Sequence, residues 1–141
     1  MTKLHLVKLS VGTESVASKA AWQAENMALT GNQPRHVTRM WPRRAEELLD
    51  GGSIYWVIKG QVLVRQKIIR LDEVIGQDSI RRCGIVLDPV LMQTVPQPRR
   101  AFQGWRYLKA EDAPRDTTPF IEGVEELPLE MQSHLAALGV L

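Results

Sequence analysis

Arginine and aromatic side chains recur together through the middle of the chain, and such a combination could bind a nucleic acid or a nucleotide. An arginine guanidinium holds a phosphate with a planar, bidentate set of donors. An aromatic face stacks on a base, and each such contact contributes about 1–3 kcal/mol. A glutamine amide can hydrogen-bond the edge of an unpaired base. The residues that combine these chemistries are Arg39, Trp41, Arg43, Arg44, Tyr55, Arg65, Lys67, Arg99, Arg100, Gln103, Trp105 and Arg106.

Nine of these residues have an expected role in a basic, aromatic-lined cleft. Trp41 and Trp105 would stack on bases, and Arg65 and Gln103 would hydrogen-bond a base edge. The phosphates would be held by Arg39, Arg43, Arg44, Arg99 and Arg100.

The same pattern also fits a protein whose aromatic residues form the core and whose arginines coat the surface. Core packing is the favoured interpretation for Trp22, Trp56 and Tyr107. Trp41 and Trp105 each neighbour an arginine and a proline or glycine loop. For these two tryptophans the core and the binding surface both stay open.

Motifs for other chemistry are absent. The sequence has no phosphate-binding G-x-x-x-x-G-K-[ST], no G-x-G-x-x-G, no C-x-x-C and no H-E-x-x-H. His5, His36 and His134 are far apart in sequence, so neither a metal site nor a cofactor is predicted. Cys83 lies in an apolar alternation and is expected to be a buried small side chain rather than a nucleophile.

An enzyme acting on nucleotides or nucleic acid remains an alternative. Lys67, Asp72, Glu73 and Asp78 could supply its acid and base groups. A solvated loop is the commoner explanation for such carboxylates beside basic strand ends.

Length and composition indicate a single globular domain. The chain has 141 residues, of which 44% are hydrophobic and 24% charged, so it is not of the disordered type. A single cysteine excludes an internal disulfide and suits a reducing compartment. No apolar run approaches a signal peptide or the roughly 18 residues of a membrane span. We therefore expect a cytoplasmic protein with no membrane contact.

Charge is distributed unevenly along the chain. Residues 35–109 carry fourteen lysines and arginines against seven acids, a net +7, whereas residues 110–141 carry one arginine against seven acids, a net −6. This predicts a basic surface that faces a polyanion, with an acidic surface elsewhere. Alternatively the two segments pack together and cancel. In a third hypothesis the acidic tail meets a basic partner, and the chain is a protein-interaction subunit.

Hydrophobic periodicity predicts about six short strands and three helices. A hairpin turn with positive φ at Gly60 joins the third and fourth strands. Arg65 and Lys67 intrude on a face that the alternation would otherwise bury. The strands are predicted at residues 4–9, 36–40, 53–58, 61–69, 79–87 and 90–95, the helices at 14–29, 43–50 and 128–138, and an acidic surface loop at 111–126.

The stretches TRMWPRRAEELLDGGSIYWVIKGQVLVRQKI and PRRAFQGWRYLKAEDAP resemble a small bacterial family catalogued as domain of unknown function 1489. The resemblance covers essentially the whole chain and implies no established activity. More remotely, the order of a helix, YWVIKG and VLVRQKI is similar to the PUA-like superfamily, which includes the ASCH and EVE groups. That similarity implies a pseudo-barrel that binds RNA or a modified nucleotide in a cleft between the barrel and a helix. The ASCH pattern of Gly, Lys, Glu and Arg is not reproduced, so the site candidates rest on chemistry alone.

Together these observations predict an α+β chain of one PUA-like domain over residues 1–141: a small, mostly antiparallel pseudo-barrel with flanking helices, an acidic C-terminal loop and a closing helix. The expected function is a binding module for RNA or a modified nucleotide. The ligand, the oligomeric state and any catalysis stay open.

Overall fold

A computed structural model describes residues 3–27 and 33–121, which form one eight-stranded sheet with two α-helices. The strands are β1 (Leu4–Leu9), β2 (Arg35–Thr38), β3 (Ser53–Ile58), β4 (Gln61–Ile75), β5 (Arg81–Leu87), β6 (Met92–Pro98), β7 (Trp105–Lys109) and β8 (Asp116–Pro119). The helices are α1 (Val16–Met27) and α2 (Ala45–Leu49), and a single 3-10 turn spans Ala110–Asp112.

The long strand β4 organises the sheet because its two halves have different neighbours. Its first half pairs with β3 on one side, and its second half pairs with β5. β5 and β6 follow one another along β4, with Leu87 opposite Ile68 and Met92 opposite Arg65. The path runs β2-β5-β4-β3-β1-β7, and β8 pairs with β6. β1 runs parallel to β3 while all the other pairings are antiparallel, so the sheet is mixed.

The two ends of this path meet through side chains rather than strand pairing. The Trp105 indole N–H of β7 donates to the Met40 carbonyl at 2.9 Å, just beyond β2. The Arg44 backbone N–H donates to the Tyr107 hydroxyl at 3.1 Å. The sheet therefore curls until the segment after β2 touches β7, but the described strands do not close it.

Each face of the sheet carries its own apolar cluster. The larger cluster lies under α1 and α2 and includes Leu6, Ile54 and Trp56. The smaller cluster, on the other face, contains Val7 and Tyr55 and is covered by Phe102. Every residue of β3 is buried, as expected for a strand with a neighbour on each side and a cluster on each face.

Several predictions from the sequence are confirmed. β1 and β3 have the predicted bounds, and the hairpin turn between β3 and β4 has positive φ at Gly60 and also at Lys59. Both central residues of the turn then match the twist of the flanking strands. Cys83 is fully buried in β5, and burial raises the pKa of its thiol to about 11.

Other predictions are wrong. The structure has eight strands rather than six, because β7 and β8 form through pairing with distant strands and carry little local periodicity. β8 lies inside the predicted acidic loop, and β6 continues through Pro98, where an extended connection was expected. β4 runs on to Ile75 instead of ending at residue 69. The predicted helix at 128–138 lies outside the described residues.

Gly52 occupies the point where β1, α2 and β4 come closest together. Its N–H donates to the Leu48 carbonyl at 2.8 Å, and its carbonyl accepts from the Ile68 N–H at 3.0 Å. A Cβ at this position would lie 2.5 Å from the Leu48 carbonyl oxygen and closer still to that of Leu4. Because both obstacles are backbone atoms, only glycine fits this crossing.

Gly52→Ala should therefore destabilise the protein by about 3 kcal/mol or more, since backbone cannot move aside as a flexible side chain can. Urea denaturation followed by circular dichroism measures the change. Gly76→Ala is the matched control, because its nearest neighbours are side-chain atoms at 3.5 and 3.6 Å. The control should change stability by less than about 0.5 kcal/mol. Equal effects of the two substitutions would contradict the close approach at Gly52.

Candidate functional site

A cavity of about 380 Å³ lies between α1, the end of β1 and the start of β2. Residues 8–13 form one wall, residues 34–36 form another, and α1 from Ser18 to Asn26 lies along a third. The Trp56 side chain of β3 is part of the lining. The volume falls within the range of about 300–1,000 Å³ that is typical of small-molecule sites.

The cavity exists because α1 turns polar side chains toward the sheet. Val16, Lys19, Ala20 and Gln23 follow the spacing of one helix face. Val16 and Ala20 pack on the larger apolar cluster. Lys19 and Gln23 are each only 6% exposed, although both are polar. The buried face of α1 is thus half apolar and half hydrogen-bonding.

Gln66 of β4 forms hydrogen bonds with Gln23, on the polar half of this face. Its Oε1 accepts from Gln23 Nε2 at 2.8 Å and from the Trp56 indole N–H at 2.9 Å. Its Nε2 donates to Gln23 Oε1 and to the Asp88 carbonyl, both at 3.0 Å. The amide is fully buried and all four of these bonds are made inside the protein, so the network fixes α1 and Trp56 together.

Lys19 is held in the interior by neutral groups. Its ammonium donates to Ser10 Oγ at 2.9 Å and lies 3.6 Å from the centroid of the Trp56 ring. Burial lowers the Lys19 pKa to about 7, with a further contribution from the nearby charge of Lys8. A substantial fraction of Lys19 is therefore uncharged at neutral pH.

His36 of β2 stands edge-on to Trp56, with ring centroids 5.5 Å apart. Burial, followed by the charges of Lys8 and Lys19, lowers the His36 pKa to about 4, so the ring is neutral at pH 7. Its Nε2 is buried and has no hydrogen-bond partner among the described residues. An unpaired buried nitrogen costs about 1–3 kcal/mol.

The electrostatics of the cavity are one-sided. Lys8, Lys19 and Arg35 contribute cationic groups, and no aspartate or glutamate is present in the described lining. Trp22, 59% exposed, adds an aromatic face from α1. The arrangement can accept an anion that carries a planar or apolar part. The prediction that Trp22 packs in the core is wrong, because the α1 face that meets the sheet is the one carrying Lys19 and Gln23.

The arginines and aromatics singled out from the sequence lie elsewhere, in three groups. Arg39, Trp41, Arg43 and Arg44 follow β2, in a segment that hydrogen-bonds β7 through the Arg44 N–H and the Met40 carbonyl. Arg65 and Lys67 lie on β4 beside a second, smaller cavity of about 170 Å³. Arg99 and Arg106 face Phe102, and Arg100 and Gln103 are exposed in the same loop region.

Two of these aromatics have structural roles. Trp105 is 6% exposed and belongs to the larger apolar cluster, so its rings are not available for stacking on a base. Tyr55 is buried in the smaller cluster. Trp41 is half-buried, and the Arg81 guanidinium lies 4.0 Å from its ring centroid.

Arg65 is committed to neighbours within the protein. Its guanidinium donates to both Asp116 carboxylate oxygens, at 2.8 and 2.7 Å, and to Ser53 Oγ at 2.9 Å. This hydrogen bonding lowers the Asp116 pKa. The prediction that Arg65 and Lys67 lie on a buried face of β4 is wrong, because both lie on its less buried side. The buried polar residue of β4 is Gln66.

Lys8, Lys19 and Gln23 are cavity residues that were not predicted from the sequence, and His36 was considered only as a metal ligand. A signal was present, because Lys19 and Gln23 occupy the helix stripe that Val16 and Ala20 define. Gln66 likewise interrupts the buried alternation of Val62, Val64 and Ile68.

Residues 3–27 and 33–121 contain neither a candidate metal cluster nor a candidate membrane span. No three His, Cys, Asp or Glu side chains cluster there in a way that could hold a metal ion. No helix in that part of the chain is long and apolar enough to cross a membrane.

Comparison with known proteins gives one match. A family model described as "Protein of unknown function (DUF1489)" matches residues 6–141. No curated protein and no solved structure matches the chain.

Gln66→Leu should destabilise the protein by about 2–4 kcal/mol, because it leaves the Trp56 indole, the Gln23 amide and the Asp88 carbonyl with unmet hydrogen bonds. Urea denaturation measures the loss, with Gln61→Leu at the exposed start of β4 as the control. In a double-mutant cycle with Gln23→Leu, the two substitutions should couple by about 1 kcal/mol or more. Additive effects would show that Gln66 does not hold α1.

Lys19→Met should stabilise the protein at pH 7 by about 1–3 kcal/mol, because it removes a buried charge without changing the side-chain volume much. In the folded protein the Lys19 pKa is about 7 against an ordinary value of 10.5, so between these values the unfolded chain binds the extra proton. The free energy of unfolding of the wild type should rise with pH across this window. In Lys19→Met the part of that rise that comes from Lys19 should be absent. Denaturation midpoints at several pH values test this, with exposed Lys109→Met as the control. Parallel pH profiles for wild type and Lys19→Met would show that Lys19 is solvated.

Proposed function

We propose that this chain, which belongs to the DUF1489 family of proteins of unknown function, is a binding module for RNA or a modified nucleotide. The ligand site is the cavity between α1 and the sheet. The observation that supports this most directly is that Lys8, Lys19 and Arg35 line one cavity together with the exposed Trp22, and that no carboxylate is present in its described lining. Nucleotides are the common biological ligands that present both a negative charge and a flat ring.

The proposal includes a PUA-like pseudo-barrel as the fold. Support comes from the curl of the sheet, which brings the segment after β2 into hydrogen-bonding contact with β7. Further support comes from α1, which borders the cavity beside the sheet. A cleft between a helix and a curled sheet is the ligand position that the PUA-like resemblance implies.

The exposed arginines after β2 extend the basic surface away from the cavity. Arg35 lines the cavity, and Arg39 and Arg43 follow it in the chain with exposed side chains. No ion pair holds either side chain within the described structure. In this proposal a nucleotide enters the cavity, and Arg39 and Arg43 contact phosphates of its neighbours in an RNA strand.

The carboxylates considered for an enzyme do not face this cavity. Asp72, Glu73 and Asp78 pair with Arg70, Arg81 and Arg82 on the surface. Hydrogen bonds from Arg82 and from the Ile80 N–H lower the Asp78 pKa to about 2. All three carboxylates are partnered by arginines at the surface, which favours binding over acid–base catalysis by them.

Fluorescence anisotropy with labelled single-stranded and duplex RNA and DNA tests the proposal. Affinity should fall steeply between about 50 and 200 mM salt, because each neutralised phosphate releases counterions. Lys8→Met and Lys19→Met should each weaken binding by about tenfold, the effect of losing one charged contact of about 1.4 kcal/mol. Exposed Lys109→Met, a charge-matched control outside the cavity, should bind like wild type.

Two results would overturn the proposal. One is the absence of binding to every nucleic acid at low salt. The other is wild-type affinity in Lys8→Met and Lys19→Met, which would place any binding surface outside the cavity. Circular dichroism confirms that each variant is folded before its affinity is compared.

A further inference from the structure

Two lysines and a histidine from three elements share one region of the cavity. Lys8 comes from β1, Lys19 from α1 and His36 from β2. The charge of Lys8 acts on both Lys19 and His36, and the charge of Lys19 acts on His36, so the three groups lie within electrostatic reach of one another.

The elements packed around Lys19 offer it no negative charge. The loop after β1 presents the Ser10 hydroxyl, β3 presents the Trp56 ring, and β5 presents the apolar side chain of Leu87 to the cavity. β2 adds His36 and the cationic Arg35. Within the described residues, the positive charge of the cavity is therefore uncompensated.

An uncompensated buried ammonium is costly, because it has lost its hydration without gaining a counter-ion. The cost can be relieved in two ways: Lys19 can release its proton, or an anion can enter and pair with it. The first corresponds to the lowering of the Lys19 pKa to about 7 by burial. The second requires a ligand whose anionic group reaches Lys8 and Lys19 together.

From this geometry we infer that the cavity binds a phosphate group of its ligand between Lys8 and Lys19, and that the protein takes up a proton when the ligand binds. The inference rests on the proposed function and names the group that the site recognises. It concerns the dianionic phosphate of a mononucleotide or the singly charged phosphodiester of one nucleotide within a strand, since both present anionic phosphate oxygens to the lysines.

The proton balance is simple. Near pH 8 the phosphate of a nucleoside monophosphate is already a dianion, because its second pKa is about 6. The free cavity holds Lys19 mainly as the neutral amine at this pH. A bound dianion favours the ammonium, so one proton moves from the buffer to Lys19 and no covalent bond changes. Affinity should then fall as pH rises above 8, by at most about tenfold per unit for one linked proton.

The cavity size limits what accompanies the phosphate. A volume of about 380 Å³ lies near the small end of ligand sites, which suits one nucleotide rather than several. Trp22, which is 59% exposed, is the aromatic surface in the lining that its base can reach, since Trp56 is buried beneath Lys19.

Isothermal titration calorimetry on the full chain tests both parts. The probes are the nucleosides, the corresponding 5′-monophosphates and a short single-stranded RNA, in two phosphate-free buffers of different ionisation enthalpy near pH 8. The monophosphates should bind at least about tenfold more tightly than the nucleosides. The observed heat should differ between the buffers by the ionisation enthalpy of about one proton.

Variants of Lys19 and Lys8 separate the contribution of positive charge to phosphate binding from the uptake of a proton. Lys19→Arg keeps a group that cannot lose its proton, so it should keep the preference for the monophosphate but lose the buffer dependence. Lys19→Met should lose both, and Lys8→Met should lose the preference. Exposed Lys109→Met should behave like wild type.

The outcomes distinguish the two proposals. Equal affinity for nucleosides and monophosphates, or monophosphate binding with no buffer dependence, would overturn the inference and leave the proposed function standing. RNA binding that a monophosphate does not compete for would also overturn it. The absence of binding by any of the probes would overturn the proposed function as well.

Discussion

The buried amide of Gln66 is the interaction on which the rest of the structure depends. It joins β4 to Trp56 of β3, to Gln23 of α1 and to the backbone at Asp88, where β5 gives way to β6. An amide placed in an apolar interior is tolerated only when its hydrogen bonds are made. The Gln66 amide makes four: its oxygen accepts two and its nitrogen donates two. Because these partners come from separate elements, α1 has one favourable position over the sheet. The cavity beside α1 is a direct consequence of that position.

Polar anchoring of α1 also explains why charged groups are present in the cavity at all. An α1 packed by leucines alone would seal its face against the sheet. Instead, Lys19 shares the face of α1 with Gln23 and reaches the Trp56 ring and Ser10. Lys19 and His36 are then held in surroundings that favour their neutral forms. Groups perturbed by burial in a cavity are typical of functional sites, because a stable fold alone gives no reason to keep them.

The pattern of residue types along the sequence correctly predicted those elements that depend on interactions between neighbouring residues. The hairpin between β3 and β4 follows from a glycine turn between two β-branched runs, and its bounds on the β3 side are confirmed. β8 was missed because three polar residues and a proline form a strand only where β6 offers its edge. The sequence alone does not show which face of α1 packs on the sheet, or which side of β7 points into the core. The positions of Trp22 and Trp105 therefore could not be predicted. The structure exposes the first and buries the second. Such errors arise from tertiary packing, which overrides composition at single positions.

Net charge along the chain pointed to the arginines, but pairing decides which cations can bind a ligand. Arg44, Arg70, Arg81 and Arg82 each have a carboxylate partner within the basic segment. Arg65 pairs with Asp116, which is one contact between the basic segment and the acidic one that follows it. A paired surface arginine contributes little potential, since its neighbour cancels it and salt screens the remainder. Lys8 and Lys19 have no such neighbour among the described residues; Lys19 is buried and Lys8 is half-buried. An incoming anion therefore gains more free energy from these two lysines than from the more numerous paired arginines.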